Sequence, residues 1–299
     1  MRTSQPGILD DLPTHARSLE FLLKPGRDPA PVLARLAREI LGVEVVVGLG
    51  PALSLLLGKP VADLHPFPAM SGPGCNVVST QGDLWLLVRG GDPGVVTHRG
   101  RALESLVADA FVCVRRLDCF KFSEGLDLTG YEDGTENPTG DAAAEAALVQ
   151  GAGEGLDGGS FVAVQQWLHD LGRFQGFSRQ EQDHIIGRRK SDNGELEDAP
   201  PSAHVKRTAQ ESYEPPAFMV RRSMPWVDAM GEGLLFLAFG RSPEAFESML
   251  RRMTGQEDGI VDALFRFTRP VTGSHYWCPP TDGRGRLLLT ALGVQAQWG

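Results

Sequence analysis

Apolar residues recur at helical spacing in "DPAPVLARLAREI", Asp28 to Ile40, where Val32, Leu33, Leu36 and Ile40 share one face. Asp28 can cap this helix, and Pro29 suits its first position because an amide there would lack an intrahelical partner anyway. A different pattern follows. "VEVVVGLG", Val43 to Gly50, is a β-branched run broken by glycine, and "CNVVSTQGDLWLLVRG", Cys75 to Gly90, reads as two strands joined by a Gln-Gly-Asp turn. Helical spacing returns in "ALESLVADAFVCV", Ala102 to Val114.

The second half repeats this grammar. A strand is expected in Gly158 to Leu171, a helix in "SRQEQDHIIGRR" capped by Ser178, strands in "AFMVRRSMPW" and "GLLFLAFG", and a helix from Ser242 in "SPEAFESMLRRM". Two halves with one element order predict an α+β fold built from a duplicated unit, each half an antiparallel sheet with helices packed on it. No identity between the halves is visible, so the duplication rests on order alone. The Ala- and Gly-rich stretch Thr139 to Gly159 reads as the connection. The expected division is 1–138, 139–159 and 160–299.

Charge narrows the function classes. Lys and Arg number 29 against 38 Asp and Glu, a net charge of -9, which is the wrong sign for binding a phosphate backbone. Nucleic acid is not an expected partner. The four cysteines show no CxxC pairing, so they predict neither a zinc site nor a disulfide framework. No apolar run is long enough to cross a membrane or serve as a signal peptide, so a cytoplasmic protein without a membrane partner is expected.

Three positions carry candidate chemistry. "GYEDGTENP", Gly130 to Pro138, is turn chemistry wrapped around Asp133. A long Pro-rich loop, Lys190 to Pro216, carries His204. "VRRSMPW" places Arg221 and Arg222 in a strand, where alternation sends one inward, and an inward guanidinium needs an anion or a task. A histidine ligand, a carboxylate base and a fixed cation together suit peroxide chemistry at an iron. The carboxylate moves the proton, the guanidinium stabilises developing negative charge, and the imidazole needs an acid behind it, for which Asp262 in "GIVDALFRFT" is the candidate.

"GYEDGTENP" contains the Gly-x-x-Asp-Gly motif of dye-decolorizing peroxidases. "SAHVKR", "RRSMPW", "GLLFLAFGRSP" and "DALFRFTRPVTGSHYW" follow in that family's order, so the chain resembles the family, most closely its compact bacterial branch without a secretion signal. The resemblance implies two ferredoxin-like halves with haem b in the C-terminal one. It implies His204 as the proximal iron ligand with Asp262 behind it, and Asp133 and Arg221 as the distal pair. Ser223 stands where many relatives have Asn. By the same resemblance Phe236 would lie over the haem, Arg207 would pair a propionate, and Gly134 would let the backbone approach the macrocycle. The implied activity is peroxide-dependent oxidation of bulky organic donors, such as dyes and phenolics, through a ferryl intermediate. Hydrogen peroxide and a small organic electron donor are the expected partners, and a homo-oligomer is expected. Trp167, Tyr213, Trp226, Tyr276 and Trp277 are candidate relays for donors at the surface. A haem-binding or haem-handling protein with incidental peroxidase activity is the alternative.

Overall fold

The computed structural model describes residues 4–39 and 42–294. In the first half, strand β1 (His15–Leu23) leads to helix α1 (Ala30–Arg38), β2 (Val45–Leu49) and the short α2 (Pro51–Leu56). A small hairpin of β3 (Met70–Gly72) and β4 (Cys75–Val77) follows, then β5 (Leu84–Gly90), α3 (Pro93–Val107) and β6 (Phe111–Phe120). Helix α4 (Gly140–Ala147) connects to the second half, so the Ala-rich connection is partly helical. There β7 (Ser160–His169), α5 (Leu171–Gln175), α6 (Arg179–Ile186) and α7 (His204–Arg207) precede β8 (Val220–Arg221), β9 (Met224–Asp228) and β10 (Gly231–Gly240). Helix α8 (Glu244–Met253), β11 (Thr268–Pro270) and β12 (Ser274–Cys278) complete it.

Local chemistry accounts for several boundaries. Ser178 and Glu181 form a reciprocal capping box at α6, and Gly187 closes that helix in the left-handed region. At α1 the cap falls on Pro29, while the Asp28 carboxylate accepts from the Ala30 amide at 2.9 Å. Ile40, the last apolar position assigned to that helix, lies outside the described residues.

Two expectations fail. Cys75–Val77 pairs with Met70–Gly72 and not with Leu84–Gly90, so the Gln-Gly-Asp segment is no hairpin turn. The helix expected through Val114 ends at Val107, and Phe111 onward runs as a strand along β1. Strand β1 itself lay unread in the first 23 residues.

The main pairings close on themselves. The spatial order β2-β5-β1-β6 joins β9-β10-β7-β12 through Cys119 opposite Trp226, and β12 returns to β2 through Trp277 opposite Leu49. Numbering each half's strands one to four, with β8 and β9 together as the second of the later half, both halves show the order 2-3-1-4. All these pairs are antiparallel, which with the packed helices makes the α+β class.

Side-chain alternation then sorts the core into layers. On β5, Leu84, Leu86 and Val88 pack with α1 and α3, whereas Trp85 and Leu87 face a layer shared by both halves. On β7 and β10, Val162, Val164, Leu235 and Leu237 join that shared layer. Their neighbours Ala163, Trp167 and Ala238 face the other way, toward Phe246, Met249 and Met253 of α8. The space between this outer face and α8 holds the candidate site.

Candidate functional site

On its outer face β7 presents Gln165, Trp167 and His169, and β10 presents Leu234 and Phe236. Helix α8 lies across them with Phe246, Met249, Leu250 and Met253 at i, i+3, i+4 and i+7, one continuous stripe. Strands and helix do not meet fully. They enclose a cleft with about 870 Å³ of free space, its mouth included, walled mainly by apolar side chains. Among the polar groups that enter it are His204 at the start of α7, Asp133 on the Gly130–Pro138 turn, and Arg221 on β8.

The His204 imidazole is fixed from behind. Its Nδ1 lies 2.8 Å from Oδ2 of Asp262, whose side chain is fully buried, while Oδ1 of the same carboxylate accepts from the Leu264 amide at 2.8 Å. A buried carboxylate accepting from Nδ1–H leaves Nε2 with its lone pair free, the tautomer a metal ligand needs.

Across the cleft, Asp133 Oδ1 lies 4.0 Å from Arg221 Nη1. The turn reaches this position through two left-handed glycines, Gly130 (φ 81) and Gly134 (φ 84). Asn137 then locks it to β8. Its Oδ1 accepts from the Arg221 amide at 2.8 Å and its Nδ2 donates to the Arg221 carbonyl at 2.9 Å. Sequence reading took Asn137 as half of a turn signal and missed this clasp. Arg222, on the opposite strand face, points into the layer shared by both halves and donates to the Leu9 carbonyl.

Ser223 is not among the residues lining the cleft, although the β8–β10 register puts it on the strand face that carries Arg221. Its hydroxyl is buried without a hydrogen-bond partner, as are Nε of Arg221 and Nε2 of Gln165. Phe236 does line the cleft, 5.9 Å from the Phe246 ring.

Two assignments need correction. Arg207 does not face the cleft: Asp258 holds its guanidinium through two 2.8 Å contacts, and it donates to the Arg252 carbonyl at 2.7 Å. A doubly paired guanidinium has no fork left for a propionate. Gly134 is not a lining residue either. Its lack of a side chain serves the turn, where a Cβ would stand 2.9 Å from Asn137 Nδ2. The five aromatic relays are all buried: Trp167, Tyr213, Trp226, Tyr276 and Trp277 are at most 6 % exposed.

A second histidine–acid pair, unread in the sequence, also lines the cleft. His169 Nε2 lies 3.0 Å from Asp127 Oδ2, and its Nδ1 lies 2.6 Å from the Thr268 hydroxyl. Burial alone would raise the Asp127 carboxyl. Hydrogen bonds from His169 and Thr129 outweigh it and hold the group below the ordinary carboxylate value. The His-Asp dipeptide at 169–170 was the available signal, but its partner lies 42 residues upstream.

The Dyp-type peroxidase C-terminal family model matches residues 124–283. The dye-decolorizing peroxidase of Mycobacterium tuberculosis is 34% identical over 251 residues, covering 81% of this chain and 74% of its own. Among solved structures, a dye-decolorizing protein from V. cholerae superposes with a TM-score of 0.86 at 27% identity, over 98% of this chain and 100% of that one. A Rhodococcus jostii DypB variant in complex with haem does so with a TM-score of 0.85 at 28% identity, over 96% and 100%.

Proposed function

The chain belongs to the dye-decolorizing peroxidase family and is a peroxidase, and from that premise we propose that it binds haem b in the cleft between β7, β10 and α8. The observation that carries this reading is the convergence of two polar pairs, His204–Asp262 and Asp133–Arg221, on one apolar slot. The donor set fits the group. A flat macrocycle needs apolar walls, one imidazole with a free Nε2, and polar groups only where ligands bind. The unpartnered donors at Arg221 Nε and Gln165 Nε2 belong to residues that line this slot.

In this reading His204 Nε2 holds the iron, and Asp262 fixes the ring and strengthens it as a donor. Haem, when bound, supplies the redox centre at which peroxide is reduced. Asp133 accepts the proton of peroxide at a carboxylate oxygen and returns it to the departing oxygen. The Arg221 guanidinium offsets the negative charge that develops as the O–O bond breaks. Since none of the five aromatic relays is exposed, organic donors such as dyes and phenolics react at the opening of the cleft. The repeated strand order supports reading each half as a ferredoxin-like unit, divided at 1–138, 139–159 and 160–299.

The test is the His204→Ala variant. We expect a folded protein with little bound haem, measured as the ratio of haem absorbance to protein. Stoichiometric haem with an unchanged spectrum would reject His204 as the ligand.

A further inference from the structure

A third cluster lies behind Phe246, where α8 and β12 meet the segment between α2 and β3. His65 comes from that segment, Glu247 from the first turn of α8 and His275 from β12. One ligand atom from each lies within 4.8 Å of the other two. We propose that these three residues form a binding site for a divalent first-row transition ion of the zinc class, distinct from the peroxidase cleft.

The hydrogen-bond bookkeeping carries the argument. His65 Nδ1 lies 3.0 Å from the Pro66 carbonyl, which can only accept, so the ring hydrogen sits on Nδ1. Nε2 therefore presents a lone pair. It lies 3.1 Å from Glu247 Oε1, off the axis of a hydrogen bond, and a carboxylate oxygen is also an acceptor. A cation held to one side of the pair would satisfy both. A proton would satisfy this pair, but it leaves His275 unexplained. That imidazole is 2 % exposed, and neither of its nitrogens makes a hydrogen bond of good geometry, the His65 backbone being near enough only for a weak one. Its Nδ1 stands 3.7 Å from the same Oε1, too far for a hydrogen bond. One ion bound by all three groups resolves both anomalies.

The geometry suits such an ion. Tetrahedral zinc with bonds of 2.0–2.1 Å separates its ligand atoms by about 3.3 Å, and the observed 3.1 and 3.7 Å bracket that value. Two imidazoles and one carboxylate select zinc and its neighbours over magnesium or calcium, which prefer oxygen alone. The Pro66 carbonyl already plays the outer-shell part that orients a ligating histidine. Glu247 Oε2 is drawn toward Arg251 Nη1 at 3.7 Å, which leaves Oε1 to the imidazoles. Phe67 and Phe246 wall the His275 side, whereas half-exposed His65 leaves a fourth position open to water.

The site would clasp the two halves, since His65 belongs to the first and Glu247 and His275 to the second. The experiment uses the haem-loaded full chain, stripped of other metals with chelator and titrated with Zn²⁺ by calorimetry at pH 7.5 in excess Mg²⁺. We expect one zinc per chain, with affinity weakened at least tenfold in H65A and in E247Q. His275→Phe, which keeps the aromatic packing with Phe67 and Phe246, should show the same loss. Zinc-edge absorption should carry imidazole scattering in wild type that weakens in H65A. The haem spectrum should not change during the titration. Failure of wild type to bind zinc, equal affinity in all variants, or zinc uptake that perturbs haem and vanishes in Asp133→Asn would each overturn the proposal.

Discussion

Asp133 can move a proton and Arg221 can only supply charge and hydrogen bonds, so the 4.0 Å pair divides into separable roles. Removing a positioned base costs about 10² to 10⁴ in rate, and removing one charge stabiliser about 10² to 10³. Magnitude does not distinguish them, but rescue does. In haem-replete protein, added small bases should restore part of the peroxide reaction of Asp133→Ala and none of that of Arg221→Leu. Equal response of both variants in rapid mixing would dismiss the division. Asp127 gives a pH signature. Its folded-state value lies below the ordinary carboxylate value, so its contribution to stability is complete above that ordinary value, about pH 4, and is lost as pH falls through the folded one. Asp127→Asn should therefore show a shallower loss of stability below about pH 4 than wild type in denaturant titrations. Parallel acid limbs would refute this. The structure brings His204, Asp133 and Arg221 to one cleft with Asp262 behind the histidine, and each of the four stands in a distinctive local sequence. Arg207 misled because its captor, Asp258, lies 51 residues on, and nothing local announces it.

Elements were legible where periodicity and punctuation agreed. Helix α6 begins after Ser178 as expected, because the Ser-x-x-Glu box is a local signal. Strand β6 was lost because no Gly or Pro separates it from α3, and the chain turns at 108–110 on alanines and an aspartate. Only its contact with β1 decides the matter, and that is a tertiary fact. The Gly130–Pro138 turn offers a test at this scale. Gly134→Ala forces a left-handed alanine, which costs about 1–2 kcal/mol, and pushes against the Asn137 amide that holds Arg221. Gly140 is also left-handed (φ 56), but a Cβ there meets nothing within 4 Å. Both alanine variants should lose stability by similar amounts in thermal or denaturant unfolding. Only Gly134→Ala should also slow the peroxide reaction at full haem content. A rate loss of the same size in Gly140→Ala would mean that strain alone, and not the Asn137 clasp, is at work.

At the scale of the whole molecule, element order predicted the doubled α+β plan, but closure was out of reach of any local signal. It depends on two narrow seams, Cys119 with Trp226 and Leu49 with Trp277, and on a core layer drawn from both halves. The same architecture distributes sulfur unevenly. Burial raises the thiols of Cys75, Cys113, Cys119 and Cys278 above their ordinary value, which disfavours the reactive thiolate. The thioethers of Met249 and Met253, by contrast, face the cleft proposed to bind haem. Starved of donor, the enzyme should damage itself there first, turning two wall residues into polar sulfoxides and ending its own working life. Peptide mass mapping after a few equivalents of peroxide should find oxidation at Met249 or Met253 before Met230, which is 84 % exposed. In haem-poor His204→Ala that order should reverse. Met230 oxidising first in both proteins would show that the cleft wall is not the point of wear.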